Sequence, residues 1–206
     1  MTAAKRFYRR AYALAAFLFG LFFRLEFIGR ENIPSGAAVV CTNHSDWLDS
    51  VFLELALGKD DKAHIMGKKE LLKIPLLSWF VRKMEMIPVD RSVSDTAAIR
   101  LSLGYLKSGA KVAIFPEGHR VSDGESSDAR NGAVWLAVRA GAPVLPMYIP
   151  RKKPIFGRIR LVIGEPYAAD GGEGGKRLRS DDYGRLAAGL MDKINALSGA
   201  DRGGRA

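Results

Sequence analysis

Short apolar runs, bounded by polar residues or glycine, alternate along the chain with longer segments whose apolar positions recur at helical spacing. The runs predict strands over residues 37–42, 63–66, 86–89, 111–115, 144–149 and 159–163. The longer segments predict helices over residues 47–57, 71–83, 94–107, 130–140 and 182–197. We expect Pro75 to kink the second of these helices. Strands that alternate with helices favour a single α/β domain with a mostly parallel central sheet flanked by helices.

The length of 206 residues fits one domain with a substantial core. We assign residues 1–24 to a separate N-terminal helix, residues 25–197 to the α/β domain and residues 198–206 to a disordered tail. The single cysteine, Cys41, excludes an internal disulfide framework and fits a reducing compartment.

The N-terminal segment combines basic residues with an apolar run. The 13 residues Ala11–Phe23 are uncharged and lie between Arg10 and Arg24. As a helix they would reach roughly 20 Å, short of the roughly 30 Å hydrocarbon core of a bilayer. The residues that follow offer no small-residue signal-peptide cleavage site. We therefore expect a membrane-associating helix that lies in the interface, with four side chains in the acyl region: Phe17, Phe19, Phe22 and Phe23. The alternative is a helix that packs on the domain's own core.

A net charge of +10 and a pI near 9.9 indicate an anionic partner. Basic residues concentrate in the segments 1–30, 62–91 and 151–160, although each segment is alternatively an ordinary solvated surface. We favour an anionic membrane surface, because the first segment adjoins apolar residues and no nucleic-acid recognition motif is present. The chain is therefore predicted to be a peripheral protein on the cytoplasmic face of the cell membrane, with no nucleic-acid partner.

A histidine and an aspartate follow the first predicted strand, in the sequence NHSDWLD at residues 43–49. A histidine at a strand end can act as a general base when an acceptor holds its second ring nitrogen. The turn into the following helix can bring Asp49 back to His44 in this way. Asp46 is the rival partner, although its place near the helix start is more typical of a cap. A structural histidine beside acids is the alternative to a catalytic pair.

A second polar segment, FPEGHR at residues 115–120, follows the strand at 111–115. Gly118 permits a close approach of the backbone, and the planar fork of Arg120 suits a phosphate group. Glu117 is expected to orient that arginine or to bond a substrate hydroxyl. A turn with a surface ion pair explains the segment equally if it is taken alone.

Together these two segments resemble the glycerolipid acyltransferase family, whose members include the 1-acylglycerol-3-phosphate acyltransferases. The pattern is Asn-His with Asp five residues after the histidine, then Phe-Pro-Glu-Gly-x-Arg about seventy residues later. Two further blocks agree, residues 67–71 (GKKEL) leading to 87–91 (IPVDR), and residues 144–148 (VLPMY). The blocks occur in the family's order over roughly residues 25–165, and four ordered blocks are far more specific than one.

The resemblance implies an enzyme that moves an acyl group from a thioester to the free hydroxyl of 1-acyl-glycerol-3-phosphate (lysophosphatidic acid), giving phosphatidic acid. It implies that the donor is acyl-CoA or an acyl-carrier protein and that no cofactor, metal or covalent enzyme intermediate takes part. It implies His44 as the general base and Asp49 as its orienting partner. The residues implied in substrate and phosphate binding are Lys68, Arg91, Glu117, Gly118 and Arg120.

The chain departs from the family pattern at His119, where threonine is usual, and at Arg130, where relatives commonly carry lysine. His119 leaves another lysophospholipid or glycerol-3-phosphate open as the acceptor. A non-catalytic lipid-binding protein would share the basic segments and the apolar helix, but it has no need of the His44–Asp49 pair.

Four other residues complete the candidates. A thiol hydrolase acting through Cys41 is a further alternative, although packing in the core is the simpler role for that residue. His64 is expected to lie in or beside a strand. Trp79 and Phe80 are expected to be core residues.

Overall fold

The computed structural model describes residues 2–93, 95–121, 130–169 and 178–199. Within these ranges one sheet contains the strands β1 Arg24–Ile28, β2 Ala38–Thr42, β3 Ala63–Lys68, β4 Ile87–Val89, β5 Lys111–Ile114, β6 Val144–Tyr148 and β7 Arg158–Ile163. The helices are α1 Ala3–Phe22, α2 Asp49–Leu57, α3 Pro75–Lys83, α4 Thr96–Lys107, α5 Gly132–Ala140 and α6 Ser180–Ala196. Short 3₁₀ turns lie at Arg30–Asn32 and Lys69–Lys73.

The predicted α/β class is confirmed, and so is the predominance of parallel pairing. The strand order is β1-β7-β6-β2-β5-β3-β4, and every neighbouring pair is parallel except β6–β7. Strand β7 runs opposite to β6. Strand β7 and its parallel partner β1 therefore begin at the edge of the sheet where β2, β5 and β3 end.

The ends of the chain match the expected organisation in part. A helix precedes the α/β domain, as expected for residues 1–24. At the other end, Ser198 and Gly199 are helical. The rest of that tail, residues 200–206, lies outside the described residues.

The edge strand β1 was missed from the sequence because Arg24 and Glu26 interrupt its apolar positions. Within the sheet Glu26 lies opposite Arg160 of β7. The Glu26 carboxylate pairs with Nε of Arg158 at 2.9 Å and with Nε of Arg160 at 2.8 Å. This strand is therefore fixed by charges 134 residues away in the chain, which a local hydrophobic pattern does not reveal.

Alternating side chains of the central strands divide the core between the two faces of the sheet. Val39 and Cys41 of β2 pack with residues of α4, α5 and α6. Val40, on the opposite face, packs with Phe52 of α2 and with Phe19 of α1. Both faces of β2 are thus covered, which explains why all five of its residues are buried and why its sequence is a continuous apolar run.

Helix α3 differs from the prediction in its start and in its packing. Pro75 begins this helix and does not kink a longer one, because proline suits the first turn and keeps the preceding Ile74 extended. The expectation that Trp79 and Phe80 belong to the core is wrong, since they are 54% and 41% exposed. The helix connects β3 to the three-residue edge strand β4, where little sheet surface is available, and only its Val81 is buried.

Helix α1 packs on the domain with one face and exposes the other. The rings of Phe19 and Phe23 lie against the ring of Phe52, with centroids 5.1 and 5.5 Å apart. These two phenylalanines join the core, so their expected place in an acyl region is wrong. Phe17 and Phe22 remain 64% and 48% exposed. In the described part of the chain, no helix combines the length and apolarity needed to cross a bilayer.

A buried polar contact ties α1 to α2. The hydroxyl of Tyr8 lies 2.9 Å from Glu54 Oε2 and 2.9 Å from the carbonyl oxygen of Gly58. The phenol has one hydrogen for these two acceptors, so both contacts are satisfied when a protonated Glu54 donates to Tyr8 and Tyr8 donates to Gly58. Burial raises the pKa of Glu54 to about 7, which favours the protonated acid below that pH.

We expect Glu54→Gln to stabilise the protein above pH 7 and to change its stability little near pH 4.5. The folded state raises the pKa of Glu54 from 4.5 to about 7 and so binds the proton more tightly than the unfolded state. The stability that this proton contributes is complete below pH 4.5 and is lost as the pH rises to about 7. The glutamine amide keeps its N–H donor at every pH. At high pH the free energy of unfolding of the variant should therefore exceed that of the unmodified protein by about 3 kcal/mol. Urea unfolding of both proteins from acidic to alkaline pH measures this, and a pH-independent difference would contradict a protonated Glu54.

Candidate active site

The polar segments selected from the sequence meet at one edge of the sheet. Strands β2, β5, β3 and β4 are neighbours in that order and run parallel, so their carboxyl ends lie side by side. His44 follows β2 by two residues, and Glu117 follows β5 by three. Lys68 ends β3, and Arg91 follows β4 by two residues. The histidine therefore stands near the middle of the sheet, with basic side chains towards β4. We call this the active-site edge.

His44 is held from three directions. Its ring Nδ1 lies 3.1 Å from Asp49 Oδ2, its ring stacks on Phe115 with centroids 4.0 Å apart, and its backbone N–H donates to Glu117 Oε2 at 2.7 Å. With the proton on Nδ1 donated to Asp49, Nε2 keeps its lone pair. The structure thus brings together the two residues that their spacing predicts to pair. It leaves Nε2 without a partner among the described residues.

The turn that presents His44 is fixed by Asn43. This residue is fully buried, and its side chain exchanges two hydrogen bonds with the backbone of Ile149 just beyond β6, at 2.8 and 2.9 Å. The chain leaving β2 is therefore tied to the neighbouring strand immediately before the histidine. These two bonds need one donor and one acceptor, which is why an amide side chain suits the first position of the NHSDWLD segment.

Asp49, at the start of α2, is fully buried and accepts several hydrogen bonds. Its Oδ2 accepts the backbone N–H groups of Ser45 at 2.6 Å and Asp46 at 2.8 Å as well as the His44 ring. Burial alone would raise the pKa of Asp49, but the bonds from His44 and Lys153 hold it below its ordinary value. Asp46 was expected to cap α2, but the N-cap position is Leu48, and Asp46 instead accepts the backbone N–H of Leu48 at 2.6 Å and closes the turn before the helix.

Glu117 lies beneath His44 and is 2% exposed. One carboxylate oxygen accepts the His44 backbone N–H, and the other lies 3.2 Å from Nη2 of Arg151. Burial raises the pKa of Glu117, although the His44 N–H and Arg151 oppose this shift. Glu117 was expected to orient Arg120 or to bond a substrate hydroxyl. In the structure Glu117 pairs with Arg151, a member of the basic segment 151–160 that was expected to face an anionic partner.

Lys153 was also missed as a site residue. Its ammonium group lies 2.8 Å from Asp49 Oδ1, 2.9 Å from Asp46 Oδ2 and 2.9 Å from Ser45 Oγ, and its side chain is only 5% exposed. Arg151 and Lys153 are two positions apart, and both side chains turn inwards to acids of the active-site edge. The i, i+2 spacing of two cations just after a strand is the one sequence signal that could have suggested this.

Three arginines lie near enough to one another at this edge for their charges to interact. Partial burial lowers the pKa of Arg91, and the positive charges of Arg130 and Arg120 lower it further, while Glu70 raises it. No ion pair joins any of these three arginines to an acid in the described ranges. Uncompensated guanidinium groups that converge in this way form a site for an anion such as phosphate. We call Arg91, Arg120 and Arg130 the arginine cluster.

Gly118 makes room for part of that cluster. Its φ angle is +71°, and a Cβ atom at this position would lie 2.4 Å from Nε and 2.7 Å from Cδ of Arg130. Glycine is therefore required both for the backbone conformation and for the passage of the arginine over it. The backbone N–H of Arg130 also donates to the carbonyl of Pro116 at 2.8 Å, which anchors the start of the segment leading to α5.

Lys68 lies beside this cluster without an ion pair to a described acid. It is exposed at the end of β3 and opposite Val89 of β4, two residues before Arg91. His119, the departure from the family pattern, is exposed between Gly118 and Arg120. In the described ranges, no three side chains of His, Cys, Asp or Glu are grouped as metal ligands would be.

The remaining candidates lie away from the active-site edge. Cys41 is fully buried within β2, and burial raises the pKa of its thiol, which disfavours a nucleophilic thiolate. His64 lies in β3, as expected, where its ring stacks on Tyr105 with centroids 3.5 Å apart. Its Nδ1 lies 3.1 Å from the carbonyl oxygen of Glu85, and burial lowers its pKa, which favours the neutral ring in a structural role.

Comparisons with known proteins agree with this geometry. Residues 24–150 match the family model described as Acyltransferase. Over 144 residues the chain is 35% identical to the 1-acyl-sn-glycerol-3-phosphate acyltransferase of Bacillus subtilis, which covers 66% of this chain and 70% of that protein. A protein of the same name from Pseudomonas aeruginosa is 35% identical over 161 residues, covering 72% of this chain and 61% of that protein.

The fold is also similar to a solved structure. The crystal structure of the 1-acyl-sn-glycerophosphate (LPA) acyltransferase PlsC from Thermotoga maritima superposes with a TM-score of 0.60 at 28% sequence identity. The match covers 92% of this chain and 78% of that one. The family match ends at residue 150, so Arg151 and Lys153 lie directly after it.

Proposed function

The chain belongs to the acyltransferase family, and from this premise we propose that it transfers a fatty acyl group from a thioester to the hydroxyl of 1-acyl-sn-glycerol-3-phosphate, giving phosphatidic acid. The observation that carries the proposal is the position of the His44–Asp49 pair and the arginine cluster on one edge of the sheet. The pair can remove a proton from a hydroxyl, and the cluster can bind a phosphate. A phosphate-bearing lipid alcohol is the acceptor that requires both.

In the proposed reaction, Nε2 of His44 removes the proton of the acceptor hydroxyl as its oxygen attacks the thioester carbonyl carbon. Asp49 stabilises the imidazolium that forms and keeps the ring in place through Nδ1. When the tetrahedral intermediate collapses, the C–S bond breaks and the thiolate leaves. His44 returns its proton to that sulfur, so the enzyme ends the cycle unchanged. These steps use groups of the chain and the two substrates alone.

The arginine cluster gives the acceptor its orientation in this proposal. Arg91 and Arg120 bind the phosphate with Arg130 and Lys68 close by, while Gly118 allows the cluster to form. Glu117 contributes by holding the His44 backbone and Arg151. A non-catalytic lipid-binding protein would gain nothing from burying Asp49 and Glu117 around one histidine, since buried carboxylates are costly unless they are paired.

The direct test supplies radiolabelled acyl-CoA, or the same acyl chain on an acyl-carrier protein, with a panel of acceptors and identifies the lipid formed. The panel contains lysophosphatidic acid, other lysophospholipids, glycerol-3-phosphate and monoacylglycerol. We expect phosphatidic acid from lysophosphatidic acid. A labelled product from another acceptor alone would overturn the proposed substrate, and no labelled lipid with any pair would overturn the proposed activity.

We propose in addition that the active-site edge rests on one leaflet of an anionic membrane, at the cytoplasmic face. Helix α1 ends at this edge because β1, which follows it, begins there. The ring of Phe22 lies near that of Phe156, with centroids 6.3 Å apart. Phe156 and Trp47, the latter in the segment between His44 and Asp49, are 69% and 72% exposed. An apolar rim beside the catalytic pair would let a lipid acceptor enter without crossing water.

The charges of this membrane face differ from those expected from the sequence. In the segment 151–160, Arg151 and Lys153 pair with acids of the active-site edge, and Arg158 and Arg160 pair with Glu26. Arg158 and Arg160 share the one carboxylate of Glu26, so the segment is compensated only in part within the protein. Attraction to anionic headgroups is expected from the basic segments 1–30 and 62–91 together with this remaining charge.

We expect the double substitution Phe17→Ser and Phe22→Ser to weaken binding to anionic vesicles by roughly tenfold or more. Each exposed ring contributes up to about 1.5–3 kcal/mol when it is fully buried in the acyl region. The measurement is flotation with vesicles of mixed neutral and anionic lipid. Deleting all of α1 is a poorer test, because it also removes Tyr8 and Phe19 from the fold.

Leu101→Ser is the matched control for these substitutions. Leu101 is 41% exposed on α4, which packs on the opposite face of the sheet from α1. The Leu101→Ser variant should bind vesicles as the unmodified protein does. If the double variant floats as well as this control, the exposed face of α1 does not contact the membrane.

A further inference from the structure

The segment that joins β6 to β7 supplies two cations to the active-site edge, one for each carboxylate that holds His44. Arg151 pairs with Glu117, which holds the His44 backbone, and Lys153 pairs with Asp49, which holds the His44 ring. Neither cation belongs to the segment matched by the family model, which ends at residue 150.

Lys153 is placed as a fully bonded ammonium group. Its Nζ lies 2.8 to 2.9 Å from Asp49 Oδ1, Asp46 Oδ2 and Ser45 Oγ, and 3.4 Å from the carbonyl oxygen of Arg151. Nζ also lies 5.9 Å from the centroid of the Phe52 ring. Because its ammonium group is turned to these acids, Lys153 acts on the site through its acidic partners.

The charge balance around His44 shows what this effect is. The groups that face the histidine are the acids Asp49 and Glu117, the nearby acid Asp46, and the cations Lys153 and Arg151. A carboxylate beside an imidazole favours the protonated ring, and an ammonium group on the same carboxylate opposes it. Loss of Lys153 would remove the positive charge that lies against the Asp49 carboxylate and so leave more negative charge beside the histidine.

We infer that Lys153 is a positioning residue of the His44–Asp49 pair, which fixes the Asp49 carboxylate and offsets its charge so that His44 stays neutral and able to accept a proton. This inference rests on the proposed role of His44 as general base. A general base is active only in its unprotonated form, so kcat/KM falls on the acidic side as the histidine becomes protonated. Lys153 thus sets the lowest pH at which the enzyme works efficiently.

The test compares Lys153→Met and Asp46→Asn with the unmodified enzyme in pH profiles of kcat/KM for phosphatidic acid formation. Lys153→Met removes a positive charge, so the acidic limb of its kcat/KM profile should move to higher pH by about one unit. Asp46→Asn removes a negative charge and keeps the oxygen that closes the turn, so its limb should move down. Lys153→Arg, which keeps the charge, should leave the limb in place even if activity falls. Shifts of opposite sign cannot arise from a general loss of packing.

An NMR titration of ¹⁵N-labelled histidine gives a readout that does not depend on turnover. The chain has three histidines, and a His44→Ala sample assigns the relevant ring. If the protein makes no phosphatidic acid but the His44 titration moves up in Lys153→Met, the proposed function fails and the role of Lys153 stands. If the protein is active and His44 titrates at the same pH in Lys153→Met as in the unmodified protein, the inference is overturned. Should Lys153→Met not fold, the Asp46→Asn titration decides, and an unchanged His44 titration there overturns the inference.

Discussion

His44→Ala is expected to lower kcat for acyl transfer by about 10²–10⁴ while the protein stays folded and keeps its affinity for vesicles. The reason is that Nε2 of His44 is the one basic atom of the His–Asp pair left free to face an acceptor hydroxyl, since Nδ1 is bonded to Asp49. The measurement is steady-state formation of phosphatidic acid at saturating donor and acceptor. Circular dichroism and vesicle flotation confirm that the variant is otherwise intact. Turnover close to that of the unmodified protein would remove His44 from the mechanism.

Asp49→Asn should lower kcat less than His44→Ala does. The base remains in this variant, but the imidazolium loses the carboxylate that stabilises it. The asparagine oxygen must still accept the backbone N–H groups of Ser45 and Asp46, so its NH₂ group is turned towards Lys153. Two donors then face each other, and we expect some loss of stability as well.

Cys41→Ala is the control that separates this mechanism from a thiol hydrolase. The thiol is fully buried within β2, and alanine preserves a small apolar side chain there. The substitution should leave kcat nearly unchanged. A loss as large as that of His44→Ala, in a folded protein, would favour the nucleophilic cysteine instead.

The parts of the fold that were predicted from sequence are those fixed by local patterns. Strand β2 is buried on both faces, and a fully buried strand leaves a continuous apolar run. The pairing of His44 and Asp49 is also local, because the start of α2 returns the carboxylate to a ring five residues earlier. Such spacings are visible in the chain itself, before any tertiary contact is known.

The parts that were missed depend on partners distant in sequence. Lys153 contacts Asp46 and Ser45 across 107 and 108 residues, and Arg151 contacts Glu117 across 34. A lysine that will be buried between two acids has the same local signature as a solvated one, so the segment 151–160 was interpreted as surface. The same limit applies to β1, whose charged residues make sense only beside those of β7.

Helix α1 shows a third limit, because only one of its faces packs on the core, while the membrane contact expected of the helix stays a prediction. Its apolar residues could not be divided from the sequence into those that pack on the core and those that stay exposed. The structure divides them, because Phe52 of α2 accepts Phe19 on one side and leaves Phe17 exposed on the other. The membrane proposal therefore rests on a narrower set of side chains than the whole apolar run.

Arg91→Ala and Arg120→Ala are each expected to raise KM for lysophosphatidic acid roughly 10- to 100-fold, with a smaller change in kcat. Each substitution removes a charge-assisted contact to phosphate, worth about 1.5–3 kcal/mol. The two guanidinium groups belong to one cluster with Arg130, so their effects should not add fully in the double variant. Initial rates with varied acceptor at saturating donor, and the reverse, separate the two KM values.

Arg100→Ala, on the exposed surface of α4, is the matched control and should leave both KM values unchanged. Monoacylglycerol provides a second comparison, because it offers the same kind of hydroxyl without a phosphate. If the cluster binds the acceptor's phosphate, the arginine variants should lose most of the preference for lysophosphatidic acid over monoacylglycerol. A rise in donor KM with no change in acceptor KM would instead assign Arg91 and Arg120 to the phosphates of the thioester carrier. In that case the acceptor's phosphate would have to bind elsewhere on the active-site edge, with Lys68 as the first residue to test.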